Sequence, residues 1–397
     1  RKLGSSKKRV AIIGAGIAGV TTAYFLAKKD YKIQMFDPEG VAWKCSYANG
    51  GQISVCNAEV WNTYDNVLKG IKWLSQKDAP LAFRPDIWSW EKVRWIAGFL
   101  GATITNSYDY NTRKTIQWSL RSRKLFKRFV RDLGMNFHQQ DCGILHIYKN
   151  QKSWYKAQKT LERFKDTGWG RVVRKGNLLK YNIKTKSIVG ATFTKGDSVG
   201  DIHEFCRQTV EYLKHNWDFK IAPNKIVRTE DEVQYSARRD YAKSLTALRK
   251  EYDEVVVCAG AYTSFLLPQL NIYPIKGYSV TYYEDDEKMP TTSILDDDVK
   301  IVASPFTNNK FRVAGTAELA GWDDSVRFDR IKPLRKWVRN NTFVEDTRPD
   351  MWACLRPMTP NMLPVTGRVN GIWVNSGAGH LGWTMGMALA EKIAKEI

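Results

Sequence analysis

Three glycines in "RVAIIGAGIAGVTTAYFLAKK" carry the first chemistry in this chain. Gly14, Gly16 and Gly19 are spaced GxGxxG, directly after an apolar run and before a helix-like stretch. The first glycine permits a tight turn, and the third lets the helix pack on the strand. The second lets the amides around Gly16, Ile17 and Ala18 approach a pyrophosphate, which the helix N-terminus then faces. Asp37 ends the next apolar run, "YKIQMFD", where a carboxylate can accept a hydrogen bond from a ribose hydroxyl. Strand, turn, helix, strand and acid in that order specify a dinucleotide, but do not separate FAD from NAD. A second pattern competes. "GDSVG" (196–200) satisfies GxSxG, follows a strand-like run and precedes a helical one, with His380 downstream as in a serine hydrolase. The six cysteines, at 45, 56, 142, 206, 258 and 354, form no CxxC pair and no metal-ligand spacing with the five histidines. A reduced compartment, cytoplasmic or organellar, and no metal are the expectations.

The elements that must hold these residues read as a mixed α/β chain. Between about 60 and 135 the pattern is mostly helical and rich in tryptophan. In "SLRSRKLFKRFVRDL" (119–133), Leu125, Phe126, Phe129, Val130 and Leu133 share one face, and Arg121, Lys124, Arg128 and Arg131 the other. Strand signals return in "CGILHIY", "SIVGATFT", the hairpin-like "IAPNKIVRTEDEVQYS" (221–236), "YPIKGYSVTYY", "KIVASPF" and "FRVAGTAEL". "VVVCAGAYT" is a late buried strand running into a glycine turn at Ala259 and Gly260. "VNSGAGHLGWTMGMALAEKI" ends the chain with another glycine turn and a helix N-terminus suited to a flavin's pyrimidine oxygens. No second GxGxxG offers a nicotinamide site, so FAD with a small-molecule electron donor fits better than NAD.

The totals bound the answer. A chain of 397 residues is long enough for two domains, and 43% hydrophobic with 26% charged residues is ordinary for a globular protein. The net charge of +21 is not ordinary; it suits an anionic partner such as RNA, anionic lipid or an acidic protein. The most membrane-like stretch, "IAGFLGATI" (96–104), is far shorter than a spanning helix needs, which leaves peripheral contact open. The chain begins at Arg1 rather than Met, as expected if an upstream piece were removed.

Several longer segments carry a resemblance: "SYANGGQIS" (46–54), "LKGIKWLSQKDAPLAFR" (68–84), "GD" (196–197), "YPIKGYS" (273–279), "FRVAGTAELAGW" (311–322), "LRPMTPNMLPVTGR" (355–368) and "GHLGWTM" (379–385). With them the chain resembles, nearly end to end, the D-amino acid dehydrogenase small-subunit family, within the D-amino acid oxidase, glycine oxidase and sarcosine oxidase group. The resemblance implies a glutathione-reductase-like FAD-binding domain from residues 1–78, 197–265 and 352–397. An inserted mixed-sheet substrate domain would come from 79–196 and 266–351. It implies oxidation of the Cα–N bond of a D-amino acid to an imine, with hydride leaving Cα for flavin N5, and a quinone or oxygen as final acceptor. Arg356 would clamp the substrate carboxylate, with Tyr278 as a second contact and His380 beside the ring. Asn49, Gly50, Gly51, Gln52 and Ile53 would run past the isoalloxazine. Val227, Ala259, Gly260, Gly377, Gly379, His380, Leu381, Gly382, Trp383 and Thr384 would complete the cofactor site.

Two departures from the family stand out. The usual "GHG" before the last helix reads Gly377-Ala378-Gly379, and His380 replaces a small polar residue. Cys354 sits two residues before Arg356, where sarcosine oxidases bond their flavin covalently; a buried free thiol is the other reading. In this family "GDSVG" starts a helix, with Ser198 near its N-cap. A secondary-amine oxidase acting on sarcosine, glycine or proline, a tRNA-modifying FAD enzyme drawn by the basic surface, and a non-catalytic flavoprotein subunit are the alternatives to a D-amino acid enzyme.

Overall fold

The computed structural model describes residues 7–73, 76, 79–85, 87–184, 186–234 and 242–397. Four residues of the 68–84 stretch (74, 75, 77 and 78), residues 235–236 and Arg1 therefore lie outside the described residues. Among the described residues the backbone forms two large sheets, of six and nine strands.

The six-stranded sheet runs in the order 365–369, 372–376, 254–257, 9–13, 32–36, 219–222. Its pairs are parallel except 365–369 with 372–376. Parallel strands are covered on both faces, which is why "VAII" and "VVV" are continuous apolar runs without alternation. Helices Ile17–Ala27, Ile202–Asn216 and Gly382–Glu396 share one core with this sheet, joined by the inner face of helix Tyr108–Leu133. Phe126, Phe129, Phe137 and Trp383 surround Phe205 there, with ring centroids about 5 Å from it.

The nine-stranded sheet is antiparallel in its longest part. Strand 273–283 lies between 350–358 and 310–319, and the sheet continues through 301–306, 293–296, 144–148, 190–194 and 171–173. Strand 350–358 pairs along its whole length with 273–283. The expected domain boundary at 352 therefore cuts a strand that backbone pairing carries entirely into the second sheet. Helix Phe328–Asn341 covers one face of this sheet and the functional cavity opens on the other.

Two local expectations are corrected. The 221–236 stretch is no hairpin: 219–222 closes the edge of the six-stranded sheet, whereas 225–227 pairs in parallel with 242–244. Two apolar runs flanking a turn look alike whether or not they pair, so periodicity cannot assign them to a sheet. Ser198 does not cap the helix that follows it; Asp201 does, accepting from the N–H groups of His203 and Glu204. Ser198 instead pairs with Ile53 in a short ribbon. The basic stripe on helix 108–133 does form, but much of it is already engaged. Arg121 makes a two-pronged bond to Glu391, and Arg128 and Arg131 meet Asp132.

A buried polar knot braces the second sheet. His146, on strand 144–148, puts Nδ1 2.8 Å from Asp297 and Nε2 3.0 Å from the Cys56 thiol. Burial, then the nearby Arg171, holds the His146 pKa down at about 4, and burial pushes the Cys56 thiol far up. At neutral pH the imidazole is therefore uncharged: its Nδ1–H donates to Asp297 and the Cys56 S–H donates to Nε2. A cysteine, a histidine and an aspartate stand in nucleophilic order, yet Cys56 and His146 are sealed from solvent and the thiol is protonated. In the unfolded chain His146 titrates near 6.5, so between that value and about 4 the unfolded state binds the extra proton. Its contribution is complete above pH 6.5 and is lost as the pH falls toward 4, by about 3 kcal/mol. Urea unfolding at pH 7 and pH 4 is expected to show that loss in the native chain and a visibly smaller one in His146→Gln.

Candidate functional site

One cavity of about 1580 Å³ runs from the glycine turn, across the ends of the first sheet, to the open face of the second. That exceeds what a drug-sized ligand occupies, leaving room for a dinucleotide and a small substrate together. At its first end Gly14 has φ +105°, and a Cβ there would lie 2.5 Å from the Cys258 carbonyl oxygen. A Cβ on Gly19 would lie 1.9 Å from the Gly14 oxygen, so the third glycine does bring helix and strand together. Helix 17–27 starts with no acid in its first turn and no side-chain cap from Gly16, and Gly14, Gly16, Ile17 and Ala18 line the cavity. The Ile17 N–H donates to the Ser46 hydroxyl at 3.0 Å, and the partial positive charge of the helix N-terminus still faces the cavity, which suits phosphate.

Asp37 also lines the cavity, and its carboxylate is partly used. Oδ2 accepts from the Ala15 N–H at 2.8 Å and Oδ1 from the Glu39 N–H at 2.9 Å. Burial nevertheless raises its pKa. Each oxygen keeps a second lone pair for a hydroxyl donor. Val227, Ala259 and Gly260 border the same stretch of cavity.

The loop 48–54 is latched to the second sheet by its own carbonyls. The oxygens of Ala48, Asn49 and Gly50 accept from Ser279, Arg312 and Ser304, and that of Gly51 from the Gly200 N–H and Trp383 Nε1. Asn49 closes the turn by accepting from the Gly51 N–H. Asn49, Gly50 and Gln52 line the cavity, as do Gly377, Gly379, His380, Gly382 and Trp383. Gly19, Gly51, Ile53, Leu381 and Thr384 stand behind the wall. Thr384 accepts from the Ser54 N–H and donates to the Gln52 carbonyl, while Ile53 and Leu381 pack in the core.

The second half of the cavity is built around Arg356. Strand pairing sets Ile275 opposite Arg356 and Gly277 opposite Cys354, with Arg356 and Gly277 both lining the cavity. The guanidinium lies across the bare Cα of Gly277: a Cβ there would fall 2.2 Å from Nη2. Nη1 donates to the Thr316 carbonyl at 2.9 Å. That carbonyl is free because strand 310–319 carries one extra residue at this point, between the pairs Lys276–Glu318 and Tyr278–Gly315. Thr316 takes φ +59° there, a region costly for a β-branched residue and common beside functional sites. Among the described residues no carboxylate pairs with Arg356.

Tyr278 is corrected by the pleat. Side chains alternate along strand 273–283, so Ile275 and Gly277 face the cavity, whereas Tyr278, Val280 and Tyr282 pack beneath helix 328–341. The Tyr278 residue borders the cavity, but its hydroxyl donates to Glu318 at 2.5 Å and is spent there. Gly277 and Thr316, which sequence reasoning did not single out, are the residues that hold the guanidinium.

His380 stacks on Trp61, with centroids 4.6 Å apart, and its Nε2 lies 3.3 Å from the Asn57 carbonyl. Burial, reinforced by Arg356 and Lys300, brings its pKa down to about 4. The ring is therefore neutral at physiological pH, with its proton on Nε2 toward the carbonyl and Nδ1 left as an acceptor. Cys354 is a free, buried thiol beside Cys45, whose Sγ also donates to the Leu355 carbonyl. The Cys45 thiol is pushed well up, first by its hydrogen bond with Cys354 and then by burial.

Gly277→Ala tests this arrangement. The methyl group meets the flexible end of an arginine, so the fold should survive with little change in melting temperature. The guanidinium must swing away, and affinity for a small carboxylate such as propionate, read by calorimetry, should fall about 10-fold or more.

Known proteins share this architecture and much of the sequence. D-amino acid dehydrogenase 3 of Mesorhizobium japonicum is 37% identical over 405 residues, covering 97% of this chain and 96% of its own. A D-amino acid dehydrogenase of Neisseria meningitidis serogroup C is 31% identical, covering 97% and 94%. Among solved structures, glycine oxidase from Bacillus cereus superposes with a TM-score of 0.71 at 16% identity, over 98% of this chain and 94% of that one. L-proline dehydrogenase from P. horikoshii gives 0.68 at 13%, over 98% and 92%. At those identities the structural likeness carries the fold alone, a Rossmann-like cofactor domain with a mixed-sheet substrate domain. The profile of FAD-dependent oxidoreductases matches residues 9–396, nearly the whole chain, and to that family this protein belongs.

Proposed function

We propose that this enzyme oxidises the Cα–N bond of a D-amino acid to the imino acid, which water converts to the 2-oxo acid and ammonia. The helix N-terminus facing the cavity, Asp37 and the size of the cavity fit FAD, with residues 48–52 and 377–382 beside its ring system. When bound, FAD supplies the two-electron acceptor for the hydride that leaves Cα. We assign the cofactor body to residues 1–78, 197–265 and the chain after strand 350–358, and the substrate body to the remainder.

The single observation that carries the reading is Arg356, a cation facing the cavity with no acid of its own among the described residues. Its planar fork, held by Thr316 and seated on Gly277, can bind a carboxylate in two-pronged fashion and so fix how Cα is presented. Neutral His380, with Nδ1 an acceptor, offers a hydrogen-bond partner for the substrate amine. The walls are apolar and aromatic (Trp61, Leu81, Phe83, Trp95, Phe99), which excludes water and strengthens the clamp. The D configuration is supported by the names of the relatives that are 37% and 31% identical.

Anaerobic mixing with D-alanine, glycine, sarcosine and L-proline, followed at the flavin absorption band, tests the proposal. D-alanine is expected to bleach the band fastest; bleaching only by the secondary amines would overturn the assignment. Arg356→Lys should keep its FAD and lose about 100-fold in kcat/KM, because an ammonium cannot replace the fork.

For the electron acceptor we propose a quinone reached at an anionic membrane. No helix among the described residues is long and apolar enough to cross one. Helices Tyr64–Trp73 and Trp90–Ile104, whose inner sides line the cavity, expose Leu68, Ile71, Trp90 and Ile104, with Trp88 beside them and Lys69 and Lys72 among them. An apolar surface set with lysines on a +21 chain matches an anionic interface. Flotation with phosphatidylserine vesicles should retain the native chain at low salt and lose Ile71→Glu/Trp90→Glu; equal behaviour of the two would discard this face.

A further inference from the structure

The substrate half of the cavity contains a second cation, Lys300, which the carboxylate clamp does not use. Lys300 ends the four-residue turn between strands 293–296 and 301–306, and it lines the cavity. Asp297 holds it in place, with Oδ1 accepting from Nζ at 3.0 Å. Asp297 is itself tied down by His146 at 2.8 Å and Arg171 at 3.5 Å. Burial alone would lift the Asp297 pKa, but Lys300, His146 and Arg171 outweigh it and hold the carboxyl well below the usual range. The ammonium is thus steered by a permanent anion, and with three N–H donors it keeps two after Asp297 is served.

The two cations belong to one chamber. The carbonyl that receives Arg356 is that of Thr316, and its neighbour Gly315 pairs with Ile301, next to Lys300. A Cβ on Gly315 would lie 2.9 Å from the Lys300 carbonyl oxygen. The backbone bearing Lys300 is therefore about one strand spacing, roughly 4.8 Å, from the backbone that fixes the guanidinium. His380 feels both charges: each adds to the burial that lowers its pKa.

We propose that Lys300 is a specificity-determining residue that receives a side-chain carboxylate, so that the site prefers acidic amino acids over their amides. This rests on the reading of Arg356 as the anchor for the α-carboxylate. Two cations lining one cavity, carried on backbone segments about one strand spacing apart, match a molecule with an anion at each end. A carboxylate gains a charge-assisted bond at Lys300 that an amide of the same shape gives up.

The test uses the FAD-loaded protein and acid–amide pairs, D-glutamate with D-glutamine and D-aspartate with D-asparagine. In the native chain kcat/KM should favour the acid of at least one pair 10-fold or more. Lys300→Asn removes the charge while suiting the φ of +54° at this position, and it should collapse that ratio to near one; Lys300→Arg should restore part of it. A ratio near one in the native chain, or one unchanged by Lys300→Asn, overturns the proposal. A second arm needs no turnover: perturbation of the flavin spectrum by glutarate against butyrate. If no D-amino acid is oxidised, the proposed reaction fails, yet tighter binding of glutarate that is lost in Lys300→Asn still supports Lys300. Equal affinities for the two acids in the native chain overturn it.

Discussion

A half-buried guanidinium with no acid of its own among the described residues is the feature on which the rest of this structure depends. Burying a cation is costly unless something answers its charge. Here the fold answers only in part, with one backbone carbonyl, from Thr316. The remaining donors are left for a ligand, so the demand for an anion is built into the resting protein. Several otherwise odd features follow from that demand. Strand 273–283 carries a glycine where a side chain would collide with the guanidinium, and strand 310–319 carries an extra residue in a strained conformation to free the carbonyl. Thr316 alone costs about one to three kcal/mol as a typical strained residue, which the surrounding ladder absorbs.

The two sheets divide the work. The parallel sheet ends in glycine turns and helix N-termini, which offer amides and partial positive charge at the level of its strand ends. The antiparallel sheet offers alternating side chains, so every second residue on three neighbouring strands faces the same chamber. The loop 48–54 joins them. Because its carbonyls are consumed by Ser279, Arg312, Ser304 and Trp383, it is held as firmly as a strand would be. A cofactor against this loop and a substrate over Gly277, as proposed above, would be positioned by one hydrogen-bonded framework rather than by two bodies free to drift.

Much of this was legible before any coordinates. The glycine turn, its flanking strands, the last helix and the amphipathic helix 108–133 follow from local rules of apolar periodicity and steric allowance, and each appears where those rules place it. Arg356 was legible only through the resemblance of "LRPMTP" to a known motif. Tyr278 stands one residue from the position that faces the chamber: its neighbour Gly277 takes that place, and nothing in "IKGYS" says which parity points inward. The 221–236 stretch was misread because two short apolar runs beside a turn need not pair with each other.

The sequence by itself determined the elements, the class of cofactor and the family, because glycine spacing, apolar period and motif are properties of contiguous residues. Only the tertiary structure decided which side chains share the chamber. It set Arg356 on Gly277, freed the Thr316 carbonyl, spent the Tyr278 hydroxyl on Glu318 and put Lys300 and Arg356 on the lining of one cavity. Those outcomes depend on register and on one inserted residue in a ladder. A shift of a single position would turn each side chain to the opposite face, and such long-range pairing leaves no mark in a local pattern.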